Sequence, residues 1–576
     1  MFYQKSAISL AVAMAVTGSL VACGGSDGDG TTTPSTPTTP ATPEQPLVMT
    51  PVNPIVACAD MAKQDFSTLA EAPATVTSAV VDGKNCVVKG TISGRQNYQV
   101  ALPIEGWTQR FLMAGCGGYC GGVNNPTTSQ TFQTSGCMPR ENNQMVIASS
   151  DLGHTRSPIK FADGSWAKDN PTATIDFAYL GMHRATVLSK ALVKAYYGQE
   201  PKRSYYVGCS DGGREGLHEV QRYPEDYDGV VVSAPVIDEV ATNTFYHGWN
   251  VRVNSDASGF PIFTAAKRPA LAARVKQFCG DEGGLVQDPR LCEDRKEEIL
   301  ASLMCGNGPE TDNCLTSAQA DVVRKFWYGP VDEYGVRMSA GNMPLGSEAG
   351  LASAVPAGTP TARGEGDWAD DFPNYMSNWG SGTGITWANM EFSLAGWNKL
   401  TPLSNLYDPT NPDLSRFAAR GGKLIIWHGW ADGGASPYMS LNYWTAVRNQ
   451  MGVDAASKFM TLYMVPGIGH CSGNSDFLSP MLDWVEKGTA PGKISVRHTT
   501  PGSTTPLQTR PAYPYPSMVK YGGFGDMTAE SSWVRADLPS GVSDVTAWRG
   551  LANYAPGKQM WCDPVTGSST PNCTLK

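Results

Sequence analysis

Beyond its first two dozen residues the sequence has no apolar run long enough to cross a bilayer, so no helical span is expected downstream. It has no cluster of basic residues, and its formal net charge is −9. Both features argue against a nucleic-acid partner. No internal repeat of the solenoid or propeller kind is visible. What is present is a chain of 576 residues, 41% of them hydrophobic. That is enough for one catalytic core and a sizeable insertion.

The N-terminus reads as an export signal. Lys5 supplies a positive start, and Ala7 to Val21 is apolar but short for a membrane span. The stretch Leu20-Val21-Ala22-Cys23-Gly24-Gly25 resembles a bacterial lipoprotein cleavage box. On that reading residues 1–22 are a signal peptide and Cys23 becomes the lipidated first residue. Glycine rather than aspartate at position 24 favours the outer membrane. An ordinary secretory signal is the alternative, giving a periplasmic or extracellular protein. Residues 23–51 are rich in Thr and Pro, cannot bury a core, and are expected to form an extended tether. The only expected contact with a membrane is through a lipid on Cys23.

Two short motifs carry the chemistry. Gly208-Cys209-Ser210-Asp211-Gly212 is a G-x-S-x-G elbow, in which a tight strand-to-helix turn presents a serine hydroxyl. Such a motif also arises by chance, but here Ser204-Tyr205-Tyr206-Val207 is a β-prone run before it and Glu215 to Val220 continues as a helix. Downstream, Lys423 to Trp427 and Phe459 to Val465 read as buried strands. They end just before Asp432 and His470. The order Ser, Asp, His is that of the α/β-hydrolases. Ser210 is therefore the expected nucleophile, His470 its base, and Asp432 the group that orients the imidazole.

Each catalytic Ser and His has a cysteine beside it, Cys209 and Cys471. With Arg110 to Gly115, Gly212 to Gly216, Tyr223 to Val230 and Pro466 to Cys471, these motifs resemble the tannase and feruloyl esterase family of α/β-hydrolases. The resemblance runs from about Cys58 to near the C-terminus. It implies an active-site disulfide Cys209–Cys471 and further bridges Cys58–Cys86, Cys279–Cys292, Cys305–Cys314 and Cys562–Cys573. Of 14 cysteines, this leaves Cys116, Cys120 and Cys137 beside Cys23. Their pairing stays open, with one thiol left over.

The implied fold is α/β, a hydrolase core with a large lid inserted between the nucleophile half and the Asp/His half. The core occupies 52–235 and 416–576, and the lid 236–415. The tetrahedral oxyanion needs two backbone donors. One is expected from Asp211, directly after the nucleophile. The other is expected from the glycine-rich Gly115-Cys116-Gly117-Gly118. The resemblance aligns Cys116 with the donor, Gly117 is the one-residue alternative, and a plain tight turn is the non-catalytic reading. His428 is a candidate pocket residue or a structural histidine. Trp379, Trp387 and Phe392 are candidates for stacking on an aromatic acyl group, or else lid core. His154, His183, His218, His247 and His498 carry no motif and are read as non-catalytic. Glu215 is read as structural.

No cofactor is expected. Many relatives hold calcium in a cysteine-bracketed lid loop. Here Cys279 to Cys292 offers Asp281, Glu282 and Asp288 with backbone carbonyls, an incomplete form of the usual pattern for the six to eight oxygens calcium takes, and a calcium in this loop is the alternative reading. A relative that cleaves a terephthalate monoester grips the free carboxylate with a lid arginine. The matching stretch Asn378 to Trp387 has none, so Arg363 or another lid arginine would have to substitute. The expected function is an exported serine hydrolase of aromatic-acid esters, of feruloyl, galloyl or terephthalate-monoester type, acting through an acyl-enzyme on a small-molecule substrate. Hydrolysis of aliphatic esters or oligomers is the alternative, and an inactive binding lipoprotein a third class.

Overall fold

The computed structural model describes residues 49–158, 160, 162–350, 364–499, 506–565 and 567–576. The expected signal peptide, Cys23, the tether as far as 48, and Arg363 lie outside the described residues.

Among the described residues nine strands form the main sheet: β1 (Ala74–Asp82), β2 (Asn85–Ile92), β3 (Gln96–Pro103), β4 (Arg110–Ala114), β5 (Met145–Ser150), β6 (Arg203–Cys209), β7 (Gly229–Ser233), β8 (Lys423–Gly429) and β9 (Met460–Val465). Their spatial order is β1-β2-β3-β5-β4-β6-β7-β8-β9. The first three join antiparallel, and β3 meets β5 antiparallel. From β5 to β9 every pair is parallel. The composition follows from this. β7, Gly-Val-Val-Val-Ser, is buried throughout, as a strand covered on both faces must be, whereas β1 at the edge is largely exposed. Tyr205 and Tyr206 on β6 point to opposite faces and enter two separate apolar clusters. This is an α/β-hydrolase sheet.

The connection β5 to β6 runs through a π-helical turn, Asp176–Leu180, and then helix α1 (Gly181–Tyr197). After β6 the chain turns into α2 (Asp211–Arg222), all of whose residues are buried. Between Ser233 and Lys423 no strand joins the sheet among the described residues. This interval is helices and loops with an apolar cluster of its own, including Phe263, Leu271, Ile299, Val323 and Trp327. It includes helix α3 (Gly364–Asp371). The candidate residues thus leave the sheet at one edge, just past the C-terminal ends of β6, β8 and β9, where ligands bind in open α/β sheets.

Among the described residues six disulfides are present. Five follow the expected pairing, Cys58–Cys86, Cys209–Cys471, Cys279–Cys292, Cys305–Cys314 and Cys562–Cys573. The sixth resolves the open question by joining Cys116 to Cys120. Cys137 is the free thiol among the described residues, buried, with burial pushing it up to about 12.

Candidate active site

Ser210 stands between β6 and α2 with φ at +63° and ψ at −124°. A non-glycine residue held there costs on the order of 1–3 kcal/mol and persists only when its surroundings enforce it. The enforcement comes from close packing: a Cβ on Gly208 would lie 2.2 Å from the Gly212 carbonyl oxygen. Only glycine permits that approach.

His470 Nε2 lies 2.8 Å from Ser210 Oγ, and His470 Nδ1 lies 2.7 Å from Asp432 Oδ2. Asp432 is fully buried, and its Oδ1 accepts from the amides of Gly434 and Ala435, each at 2.9 Å. Burial alone would raise this carboxyl. The His470 charge, with hydrogen bonds from His428 and His470, outweighs burial and holds it well below the usual carboxylate range. Burial likewise opposes the His470 imidazolium, yet Asp432 wins and His470 sits above its ordinary value. The Cys209–Cys471 bond joins the residues immediately before Ser210 and after His470.

His428 does not line the cavity. It is fully buried, its Nε2 donates toward Asp432 Oδ2 at 3.2 Å and Ala435 O at 3.1 Å, and its Nδ1 accepts from Ser440 Oγ at 2.8 Å. It supports Asp432 from behind.

Asp211 opens α2, so its amide has no intrahelical partner. Its carboxylate turns away to the fully buried Arg214. Cys116 corrects the expectation placed on it: its amide donates to Glu215 Oε2 at 3.2 Å rather than toward Ser210. The neighbouring Gly117 is exposed, and its amide has no protein partner among the described residues.

A cavity of about 110 Å³ opens beside Ser210 and His470. It is lined by Gly118, Val236, Glu239, Thr242, Asn243 and His247, by Glu365 and Trp368 of α3, and by Gly434 and Ala435. No lysine or arginine lines it among the described residues. Trp379, Trp387 and Phe392 are also corrections, since none reaches this cavity. Trp379 packs against the main core, Trp387 makes main-chain hydrogen bonds with Asp370 and Arg252, and Phe392 packs edge-on against Phe245 and Trp249. Trp368 takes the aromatic position instead. Its ring meets Tyr119 of the Cys116–Cys120 loop at 4.3 Å and His247 at 6.1 Å. His247 Nδ1 is 3.3 Å from Glu365 Oε2. None of these lid residues sits in a motif, so no sequence signal marks them.

A family model described as tannase and feruloyl esterase matches residues 79–536. The chain belongs to this family. Mono(2-hydroxyethyl) terephthalate hydrolase of Piscinibacter sakaiensis is 28% identical over 544 residues, covering 81% of this chain and 87% of that protein. A probable feruloyl esterase of Arthroderma benhamiae is 31% identical over 476 residues, covering 77% and 83%. The crystal structure of feruloyl esterase B from Aspergillus oryzae shares the fold with a TM-score of 0.68 at 24% identity, covering 83% of this chain and all of that one. As a tannase and feruloyl esterase relative, the chain is a carboxylic-ester hydrolase.

The family's calcium loop does not fit calcium here. Arg510 reaches Asp281, whose carboxylate also accepts from Gln287 and from the Leu285 amide at 3.0 Å. Arg290 holds Asp288 through its amide at 3.0 Å and Nε at 2.9 Å, while Glu282 is exposed. Guanidinium groups already supply the positive charge a cation would bring. Two other clusters also fail as metal sites. Cys116 and Cys120 near Glu215 are joined in a disulfide. His183 near Glu219 and Asp226 has both ring nitrogens on carboxylates, at 2.6 and 2.8 Å.

EDTA is therefore expected to leave the melting temperature unchanged, and millimolar calcium to leave it unchanged as well. A calcium site filled to 100 times its Kd would add about 2.7 kcal/mol. A calcium-dependent rise of several degrees in a thermal scan contradicts the guanidinium reading.

Proposed function

We propose that the protein is an exported serine hydrolase of aromatic-acid esters that works through an acyl-enzyme. One observation carries the reading: the continuous hydrogen-bond chain Ser210–His470–Asp432 opens onto a cavity walled by Trp368. At about 110 Å³ the cavity is of the order that takes one ring, since an apolar cavity of about 150 Å³ binds benzene.

In the forward step His470 Nε2 takes the Ser210 proton as Oγ attacks the ester carbonyl carbon. Asp432 keeps the other imidazole proton on Nδ1 and stabilises the cation that forms. The carbonyl electrons move to oxygen, where the amides of Asp211 and Gly117 are the donors. Removing one such donor typically costs about 3 kcal/mol of barrier. His470 then protonates the departing alcohol, leaving acyl-Ser210, and a water activated by the same imidazole releases the acid.

The lining favours a particular acyl group. A second carboxylate would face Glu365 with no lysine or arginine opposite among the described residues, and like charges repel strongly where water is excluded. Feruloyl or galloyl esters therefore fit better than a terephthalate monoester. The six disulfides suit an oxidising compartment, in keeping with export and a lipid-anchored or secreted mature chain.

Assays on methyl ferulate, methyl gallate, a terephthalate monoester and p-nitrophenyl butyrate should rank the first two highest; butyrate ahead of both would favour the aliphatic alternative. Ser210→Ala should lower kcat by about 10⁴- to 10⁶-fold. Retention of a tenth of the activity places the nucleophile elsewhere. Because the base must be neutral and Asp432 holds it above the ordinary histidine value, kcat/KM should fall as pH drops, with its acid midpoint above about 6.5. A midpoint below that value contradicts the His470–Asp432 pairing.

A further inference from the structure

We infer that Glu215 is a positioning residue for ester hydrolysis: as a neutral carboxylic acid it ties the loop bearing Gly117 to the helix behind Ser210, fixing the spacing of the two amides that face the oxyanion. The inference rests on the assignment of Asp211 and Gly117 as donors.

Glu215 is buried on α2, one turn past Ser210. Its Oε2 accepts from the Cys116 amide at 3.2 Å and lies 2.8 Å from Tyr206 Oη. Tyr206 Oη also lies 2.6 Å from the Gly212 carbonyl oxygen. A phenol has one proton, and a carbonyl can only accept. Tyr206 therefore donates to Gly212, and the short contact with Glu215 needs its proton from Glu215. The other oxygen, Oε1, faces Cys116 Sγ at 3.0 Å. That sulfur is bonded to Cys120 and has no hydrogen to give. A carboxylate anion would leave one oxygen without a donor and two others in repulsion. The neutral acid satisfies the run Glu215–Tyr206–Gly212 in full.

The surrounding charges agree. Asp211, Arg214 and Glu219 face Glu215 from its own helix, Tyr206 from β6 and Tyr227 from the turn before β7. Burial, then the Asp211 charge, push the Glu215 carboxyl up to about 8 against the opposing Arg214.

The loop has little freedom to reach its place any other way. A Cβ on Gly115 would lie 2.1 Å from Tyr206 Oη and 2.8 Å from Glu215 Oε2, and one on Gly212 would lie 2.8 Å from the Cys116 carbonyl oxygen. Loop and helix thus touch backbone to backbone, with Glu215 as a polar tie at Cys116. The Cys116–Cys120 bond, spanning four residues, then passes that anchoring on to Gly117 and Gly118 between its ends.

The test compares Glu215→Ala and Glu215→Gln with the wild-type enzyme. An error of about 1 Å in placing a reacting group can cost 10²-fold. Glu215→Ala should lower kcat by about 10- to 100-fold with KM changed less than about threefold. Glu215→Gln, neutral at every pH and able to keep a carbonyl oxygen on the Cys116 amide, should recover kcat to within about fivefold of wild type. Wild-type kcat should decline as pH rises through about 8, when Glu215 loses its proton, and Glu215→Gln should keep its plateau there. Normal kcat in Glu215→Ala, or the same alkaline decline in Glu215→Gln as in wild type, overturns the inference. If Glu215→Ala does not fold, the paired pH profiles of wild type and Glu215→Gln still decide it. Labelling of wild-type Ser210 by a serine-directed phosphonate separates the two layers. Its absence defeats the catalytic reading and this inference together, whereas its presence with an unaffected Glu215→Ala defeats the inference alone.

Discussion

The active site depends on one covalent constraint, the Cys209–Cys471 bond. Ser210 follows β6 and His470 follows β9, and two strands lie between these in the sheet. Three strand spacings amount to about 14 Å, so each loop must reach inward for the two side chains to meet. The chain joining them contains the whole inserted segment, since the bonded cysteines are 262 residues apart. Any breathing of that segment acts on the Ser–His contact. The bond limits that motion at the two residues nearest the chemistry. On the chain-entropy account a loop of this length also contributes roughly 5 kcal/mol to stability, with native strain reducing it.

Around this clamp, buried carboxyl groups of the site are set to opposite states by their partners. Asp432 accepts from two backbone amides and two histidines and stays ionised despite complete burial. Glu239 is also buried, with an oxygen that has no hydrogen-bond partner, and burial with the Asp211 charge raises it well above the carboxylate range. Asp211 has the buried Arg214 guanidinium against it. Negative charge is thereby concentrated behind the imidazole, where it stabilises the imidazolium, and reduced on the side where the oxyanion grows. This separation of protonation states by environment is what acid–base chemistry at one site requires.

The hydrogen-bonded run Ser210–His470–Asp432 was legible because each member follows a strand whose apolar run is visible in the sequence, and because the elbow's glycines meet a local steric demand. The disulfide pairing was legible through resemblance, apart from Cys116–Cys120. What was hidden lies in contacts made across the chain. The direction of the Cys116 amide depends on Glu215, 99 residues away, a contact that alignment does not reveal. His428 stands four residues before Asp432, and the spacing signals proximity, but only the packing shows that the ring faces the carboxylate from the core side. Trp379, Trp387 and Phe392 drew attention as aromatic residues. Composition cannot tell a cavity wall from a lid interior, and Trp368 fills that place because α3 packs over the Cys116–Cys120 loop.

The claim that the Cys209–Cys471 bond holds Ser210 and His470 in register is tested most directly by kcat of the Cys209→Ala/Cys471→Ala enzyme, measured well below its own melting temperature. Placement errors of about 1 Å cost on the order of 10²-fold. The account predicts a loss of that size in protein that is still folded, and near-normal turnover there would contradict it.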